Sequence, residues 1–183
     1  VPSLNVLIIT INYGTILSFS AIYGKEVGVN NSGLFFLLLA LGIGISRFFS
    51  GNIFDRIGPL RILIIGMLLL IIGFPMLYLE PNPVGYHSSA VVIGLGFGII
   101  MPTFQAMVNN LVPPERRGAA NSTYFTSFDL GIGIGMVLSG IIAENIGLGK
   151  TFLICSVFVF IALLLFLSYT YKFYKLYAIK IPK

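Results

Sequence analysis

The sequence has very little charge, and this scarcity excludes most classes of soluble protein. Only 9% of its 183 residues are charged, whereas a soluble domain carries roughly 25%. Hydrophobic residues make up 57%. A surface with so few charges is expected to face lipid, so the bilayer is the first predicted partner. The net charge of +5 does not indicate a nucleic-acid partner, because the basic residues lie in the gaps between apolar runs.

Cysteine, histidine and deep acidic residues are also scarce. Cys155 is the sole cysteine and His87 the sole histidine, so neither an internal disulfide nor a metal site is predicted. A membrane-embedded enzyme would need a catalytic pair at depth. The sequence offers one ionisable residue there, Asp129, without an acidic partner. We therefore predict no enzyme, no metal and no cofactor.

Long apolar runs are what the sequence does contain. A membrane-spanning helix needs about 20 mostly apolar residues, and six such runs are separated by short joints rich in proline and charge. They predict an all-α membrane protein with spans at about residues 4–23, 32–50, 60–79, 88–111, 119–146 and 151–171. A basic tail, residues 172–183, follows and is expected to lie on the anionic inner leaflet.

The basic residues predict the orientation of these spans. With six spans, both termini share one side of the membrane. Nine of the 11 Lys and Arg residues fall on that side, and short loops rich in them stay in the cytoplasm. Both termini are therefore predicted to be cytoplasmic. Arg47, about one turn inside the edge, is interpreted as snorkelling to the interface.

Two spans carry amide side chains on one helical face. Asn12 belongs to such a face in the first span, and Gln105 and Asn109 to another in the fourth, which Pro102 should bend. Polar faces in lipid turn inward. Two interpretations stay open for both: the wall of a cavity, or hydrogen bonding that only packs the helices.

The chemistry of the spans repeats weakly. A polar, kinkable helix, a glycine-rich helix and a plain apolar helix occur once and then again. Three-plus-three repeats are a transporter design.

Two segments resemble a known family. The pattern Gly51-x-x-x-Asp55-Arg56-x-Gly58-x-x-Arg61 is similar to the hairpin signature that joins the second and third helices of a major facilitator superfamily half. Residues 113–135 look like the entry to the eleventh helix of bacterial drug-efflux and sugar-efflux-like members. The resemblance implies the C-terminal six-helix half of that fold, a 3+3 inverted repeat, in which Pro59 replaces a usual basic residue.

The resemblance also implies roles for individual residues. In that family the cavity lies between two halves and is walled mainly by the first and fourth helices of each. Asn12, Gln105 and Asn109 would then line it. Asp129 would border it as the candidate proton-coupling residue, since desolvation favours the protonated acid; a structural or gating acid is the alternative. The cytoplasmic gate would comprise Gly51, Asp55, Arg56, Gly58 and Arg61.

The function implied is a secondary transporter in the cell membrane. It would move a small organic molecule by alternating access, as a proton-coupled exporter. Its cavity would need a missing N-terminal six-helix half, or a second copy. The alternative is a non-transporting assembly or receptor subunit derived from a transporter half. The substrate, import against export and proton against sodium coupling stay open.

Overall fold

This computed structural model describes residues 1–179, and the side chains of all of these except residues 52–57. Six long apolar helices form one bundle, and no strand occurs in the described part. The predicted class, an all-α protein with six helices long enough to cross a membrane, is confirmed. The helices are α1 (Pro2–Glu26), α2 (Gly33–Gly51), α3 (Gly58–Leu79), α4 (Pro83–Asn109), α5 (Arg117–Ile146) and α6 (Leu148–Tyr177).

Glycine makes two of the sharp junctions between helices. Gly58 begins α3 with a φ of 76°, and Gly147 separates α5 from α6 with a φ of 84°. Positive φ values of this kind are easy only for glycine. A side chain caps a third junction, because the Asn82 Oδ1 accepts a hydrogen bond from the Gly85 N–H at the start of α4, at 2.9 Å.

The last helix is longer than its apolar run. α6 passes through one π-helical turn at Phe166–Thr170 and ends at Tyr177, whereas the predicted span ends near residue 171. Hydropathy falls at Lys172, but a helical backbone does not need apolar side chains to continue. Residues 180–183 of the predicted tail lie outside the described part.

Both ends of the described chain lie at one end of the bundle, which we call the terminal end. Near the start of α1 and the end of α6, the Thr170 hydroxyl donates a hydrogen bond to the Asn5 Oδ1. After α6, the Ile179 N–H donates to the Asn110 carbonyl, just beyond α4, at 2.8 Å. The α2–α3 and α4–α5 junctions therefore lie at the terminal end too.

α1 and α5 touch through their backbones. A methyl group added at Gly131 would stand 2.5 Å from the Leu7 carbonyl oxygen. Methyl groups at Gly135 and at Gly14 would likewise collide with backbone of the facing helix, at Gly14 with Ile132. Small residues allow such close approach, and van der Waals packing rather than the hydrophobic effect holds helices together in lipid.

α2 and α4 pack in the same way. A methyl group at Gly42 would stand 2.8 Å from the Val91 carbonyl oxygen, and one at Gly98 would stand 2.5 Å from the Ile43 carbonyl oxygen. These contacts match those of the first pair, with α4 in place of α1 and α2 in place of α5. A 3+3 repeat would produce this correspondence.

α2 and α5 are the helices that the bundle covers least. The buried residues of α5 form a single stripe: Tyr124, Gly131, Gly135 and Ser139. α2 has one matching stripe, and most of the other residues of both helices are exposed. The core behind them combines aliphatic and aromatic side chains, and its fully buried phenylalanines are Phe35, Phe74, Phe97, Phe104, Phe152 and Phe166.

Candidate functional site: an aromatic cavity among four helices

A cavity of about 190 Å³ lies where α1, α2, α4 and α5 meet. Its surface is mainly apolar, with five aromatic side chains, and a few polar groups converge on it. Its lining includes Tyr13, Arg47, Phe97, Gln105, Tyr124, Phe125 and Phe128.

Ring contacts order the aromatic wall. Tyr13 meets Phe97 edge to face, with centroids 4.9 Å apart, and lies 6.2 Å from Phe128. Tyr124 stacks on Phe128 at 6.5 Å with an angle of 26° between the planes. Aromatic pairs of this geometry contribute roughly 0.5–1.5 kcal/mol beyond area burial, so the rings of α1, α4 and α5 hold one another in place.

α4 presents irregular backbone to the cavity. Pro102 has no N–H, so the Gly98 carbonyl loses the helical donor four residues on. One turn away, the Tyr124 hydroxyl donates a hydrogen bond to the Met101 carbonyl at 3.0 Å. This bond ties α5 to α4 beside the proline and positions the phenol at the cavity wall.

Gln105 is the one predicted cavity amide that lines this cavity. Its Nε2 donates a hydrogen bond to the Asn121 Oδ1 at 3.2 Å, which leaves its carbonyl oxygen as an acceptor. The bond joins α4 to α5 near the terminal end, so it fixes the side chain that could orient a ligand.

Asn12 lies outside the cavity lining. It is fully buried, its Oδ1 has no partner, and its Nδ2 makes only a long contact of 3.5 Å with the Ile8 carbonyl. Tyr13, the next residue, lines the cavity. α1 is therefore oriented with Tyr13, and not Asn12, toward the cavity. The sequence signal for this orientation is Gly14, because a small residue marks the side of α1 that packs closely against α5.

The other polar residues of α1 bind neighbouring helices. Asn5 donates to the Ala162 carbonyl at 2.7 Å and accepts from Thr170. The hydroxyls of Thr15 and Ser139 share a hydrogen bond. This side of α1 thus joins α5 and α6, which is the packing interpretation that the sequence left open.

Asn109 also lies outside the cavity lining. It ends α4, and its Oδ1 is buried without a partner. The next residue, Asn110, donates from its side chain to the Tyr174 hydroxyl at 3.2 Å. Asn110 therefore lies beside the last turns of α6.

Asp129 is exposed on the outward surface of α5, while its neighbour Phe128 faces the cavity. It lies in a shallow groove over Gly133, where an added methyl group would meet no atom within 4 Å. The groove residues are Thr126, Asp129, Leu130, Gly133, Ile134, Val137 and Leu138.

α2 carries a matching groove. Its floor is Gly44, which also has open space above it. The spacing of its residues repeats that of the α5 groove, with Ala40 at the position of Asp129. The α2 groove comprises Leu37, Ala40, Leu41, Gly44, Ile45, Phe48 and Phe49.

The predicted gate residues lie at the terminal end. Gly51 ends α2, Gly58 makes the positive-φ turn, and the Arg61 side chain is exposed. Asp55 and Arg56 lie outside the residues whose side chains the structure describes. In the described part of the chain, no three His, Cys, Asp or Glu side chains lie together as metal ligands would.

A family model of the Major Facilitator Superfamily matches residues 3–175. This chain belongs to the Major Facilitator Superfamily. The predicted family is therefore confirmed, and the six helices are those of a multi-pass membrane protein.

Several bacterial proteins are similar to this chain. An uncharacterized MFS-type transporter of Pseudomonas aeruginosa is 35% identical over 146 residues, which are 78% of this chain and 36% of that protein. One from Burkholderia mallei is 32% identical over 146 residues, 79% of this chain and 36% of that protein. The staphylopine export protein of Staphylococcus aureus is 23% identical over 163 residues, 87% of this chain and 41% of that protein. The chain thus spans about two fifths of the length of these relatives.

A solved superfamily structure has the same fold. The POT family transporter PepTSo matches all of this chain and 39% of its own, with a TM-score of 0.70 and 18% identity. At this identity the similarity shows the fold alone.

Proposed function

We propose that this chain is one half of a secondary active transporter that moves a small organic molecule by alternating access. The cavity among α1, α2, α4 and α5 carries the proposal. Small-molecule sites are concave and mostly apolar, with a few placed polar groups. Aromatic walls that also carry the polar groups of Arg47, Gln105 and Tyr124 match that description inside a membrane bundle.

The two grooves support a second half as the partner. Their residues are mostly apolar apart from Thr126 and Asp129, they lie on the two least covered helices, and they are floored by Gly44 and Gly133. Small residues of this kind admit a closely packed helix. A missing N-terminal six-helix half, or a second copy, would cover both grooves and close the cavity. The greater length of the relatives fits this arrangement.

The orientation follows from the basic residues. The α2–α3 and α4–α5 junctions and the end of α6 bring most Lys and Arg to the terminal end, and such loops remain in the cytoplasm. We place that end in the cytoplasm of a cell with the chain in its inner or plasma membrane. Gly51, Asp55, Arg56, Gly58 and Arg61 would then form a gate on the cytoplasmic side of the cavity.

Export and proton coupling are the finer parts of the proposal. Export is supported by the similarity to a staphylopine export protein. Asp129 is the candidate proton site, because a carboxylate within a span is costly unless it is paired, solvated or protonated. Its groove position would set it against the second half, where its surroundings change as the halves move.

Transport by the full-length protein in proteoliposomes tests the proposal. A panel of labelled dyes and amino-acid derivatives would be assayed with and without an imposed proton gradient. Cavity variants Tyr13→Ala and Gln105→Leu should lower transport, whereas Leu164→Ala, at an exposed position of α6, should not. Transport that both cavity variants leave unchanged, at equal protein abundance, would refute the assignment of the cavity.

A further inference from the structure

We propose that the cavity selects organic anions: small aromatic or similarly apolar molecules that carry one carboxylate. The inference rests on the proposed function, because it names the substrate class for the same cavity. Its basis is the charge of the wall and the shape of its apolar part.

The wall of the cavity carries one charge. Arg47 lines it, and none of its described lining residues is acidic. The guanidinium is always protonated, and its fork of donors matches a carboxylate in two parallel hydrogen bonds. Tyr124 and Gln105 line the same cavity, so the cation shares its wall with the other polar groups.

The described acids lie elsewhere. Asp129 is on the outward surface of α5, and Glu115 is exposed in the α4–α5 junction. The remaining described acids stand where α1, α3 and α5 end, away from the terminal end: Glu26, Glu80 and Glu144. Within the described chain, an anion from outside is therefore the natural partner of Arg47.

The apolar part of the wall favours a substrate whose apolar part is a planar ring. Tyr13, Phe97, Phe125 and Phe128 offer ring edges and faces, which favour stacked or edge-to-face aromatic contacts. Aromatic walls by themselves also suit cations. Here the fixed positive charge of Arg47 opposes a cation, so the combination selects an anion that bears a ring.

The single arginine of the wall determines how many negative charges the head group of the substrate should carry. A carboxylate carries a single negative charge, whereas a phosphate monoester carries about 1.5 to 2 at neutral pH. A single guanidinium balances the first and leaves the second partly uncompensated. The carboxylate is therefore the preferred head group.

The test compares three probes of the same body on the full-length protein. The binding of 4-phenylbutyrate, 4-phenylbutanamide and 4-phenylbutylamine would be measured by equilibrium dialysis in detergent. We expect the acid to bind at least tenfold more tightly than the amide, and the amine to bind most weakly. Arg47→Gln should remove the preference for the acid while leaving the affinity for the amide within about twofold. Arg47→Lys should keep part of it.

The matched control is Arg116→Gln, which removes an exposed cation in the turn before α5, also at the terminal end. It should keep the preference. The proposal is overturned if the amide or the amine binds as tightly as the acid, if Arg47→Gln keeps the preference, or if the acid shows no saturable binding. Dialysis measures binding separately from transport, so the two proposals can fail separately. Transport of neutral or cationic molecules would refute the anion preference and still support the transporter function. An intact anion preference in a protein that transports nothing would support the anion preference and refute the transporter function.

Discussion

The rings of Tyr13 and Phe97 meet edge to face between α1 and α4, with their centroids 4.9 Å apart and their planes at 69°. The two residues hold corresponding positions. Each directly precedes the glycine, Gly14 or Gly98, through which its helix approaches its neighbour's backbone. The contact therefore joins the two similar helix pairs at the wall of the cavity.

Removing the Tyr13 ring should weaken ligand binding. An aromatic contact contributes roughly 0.5–1.5 kcal/mol, so Tyr13→Ala should raise the KM for transport by about 2- to 12-fold. Tyr13→Phe keeps the ring and should stay within about twofold unless the hydroxyl binds the substrate. The concentration dependence of uptake into proteoliposomes measures both. An unchanged KM in the alanine variant would show that the ring does not touch the substrate.

Enlarging Gly131 should destabilise the bundle. Its missing side chain allows contact with α1, and overpacking typically costs about 1–3 kcal/mol. Gly131→Val should therefore lower the Tm in detergent by several degrees. Gly118→Val is the matched control in the same helix, because nothing lies within 4 Å of a methyl group there. Equal Tm values for the two variants would contradict the close packing of α1 and α5.

Filling the grooves should impair transport by the full-length protein. Gly44→Phe and Gly133→Phe place a ring where the second half is proposed to dock, so each should reduce transport severalfold and lower the Tm. Leu164→Phe, on the exposed surface of α6, serves as the control for a bulky residue facing lipid. If the groove variants behave like this control, the grooves face lipid and not a partner.

Neutralising Asp129 should uncouple transport from the proton gradient. Asp129→Asn keeps the shape and removes the titrating group, so substrate exchange should persist while proton-driven accumulation is lost. The measurement is accumulation with and without an imposed pH difference. Ala40, at the corresponding position of α2, offers the control Ala40→Asn. Gradient-driven accumulation that survives Asp129→Asn unchanged would remove the proton role.

The sequence predicted the helices well because their signal is local. Each pattern is recognised from residues that are close together in the sequence. These patterns are the six apolar runs, the proline and charged residues between them, and the signature around Gly58. The rotation of each helix depends on what packs against it. For α1, the contact at Gly14 turns Tyr13 to the cavity and buries Asn12, whereas the polar face of the sequence pointed to Asn12.

The position of Arg47 on the cavity wall could not be predicted from the local sequence either. Its position near the end of α2 favours the snorkelling interpretation, which needs no partner helix. Its place on the cavity wall depends on α4 and α5, which lie far along the chain. Gln105 reaches the cavity wall because it shares one face of α4 with Gly98.

The backbone contact between α1 and α5 has a mechanical consequence. Tyr13 stands on one side of this pair and Asp129 on the other, and no flexible layer of long side chains separates the two backbones. The pair should therefore tilt as a single stiff lever. A substrate that displaces Tyr13 on the cavity side would then move the Asp129 carboxylate on the outer side at the same time. Substrate binding would in this way be coupled to the position of the charge, with no hinge between the two residues.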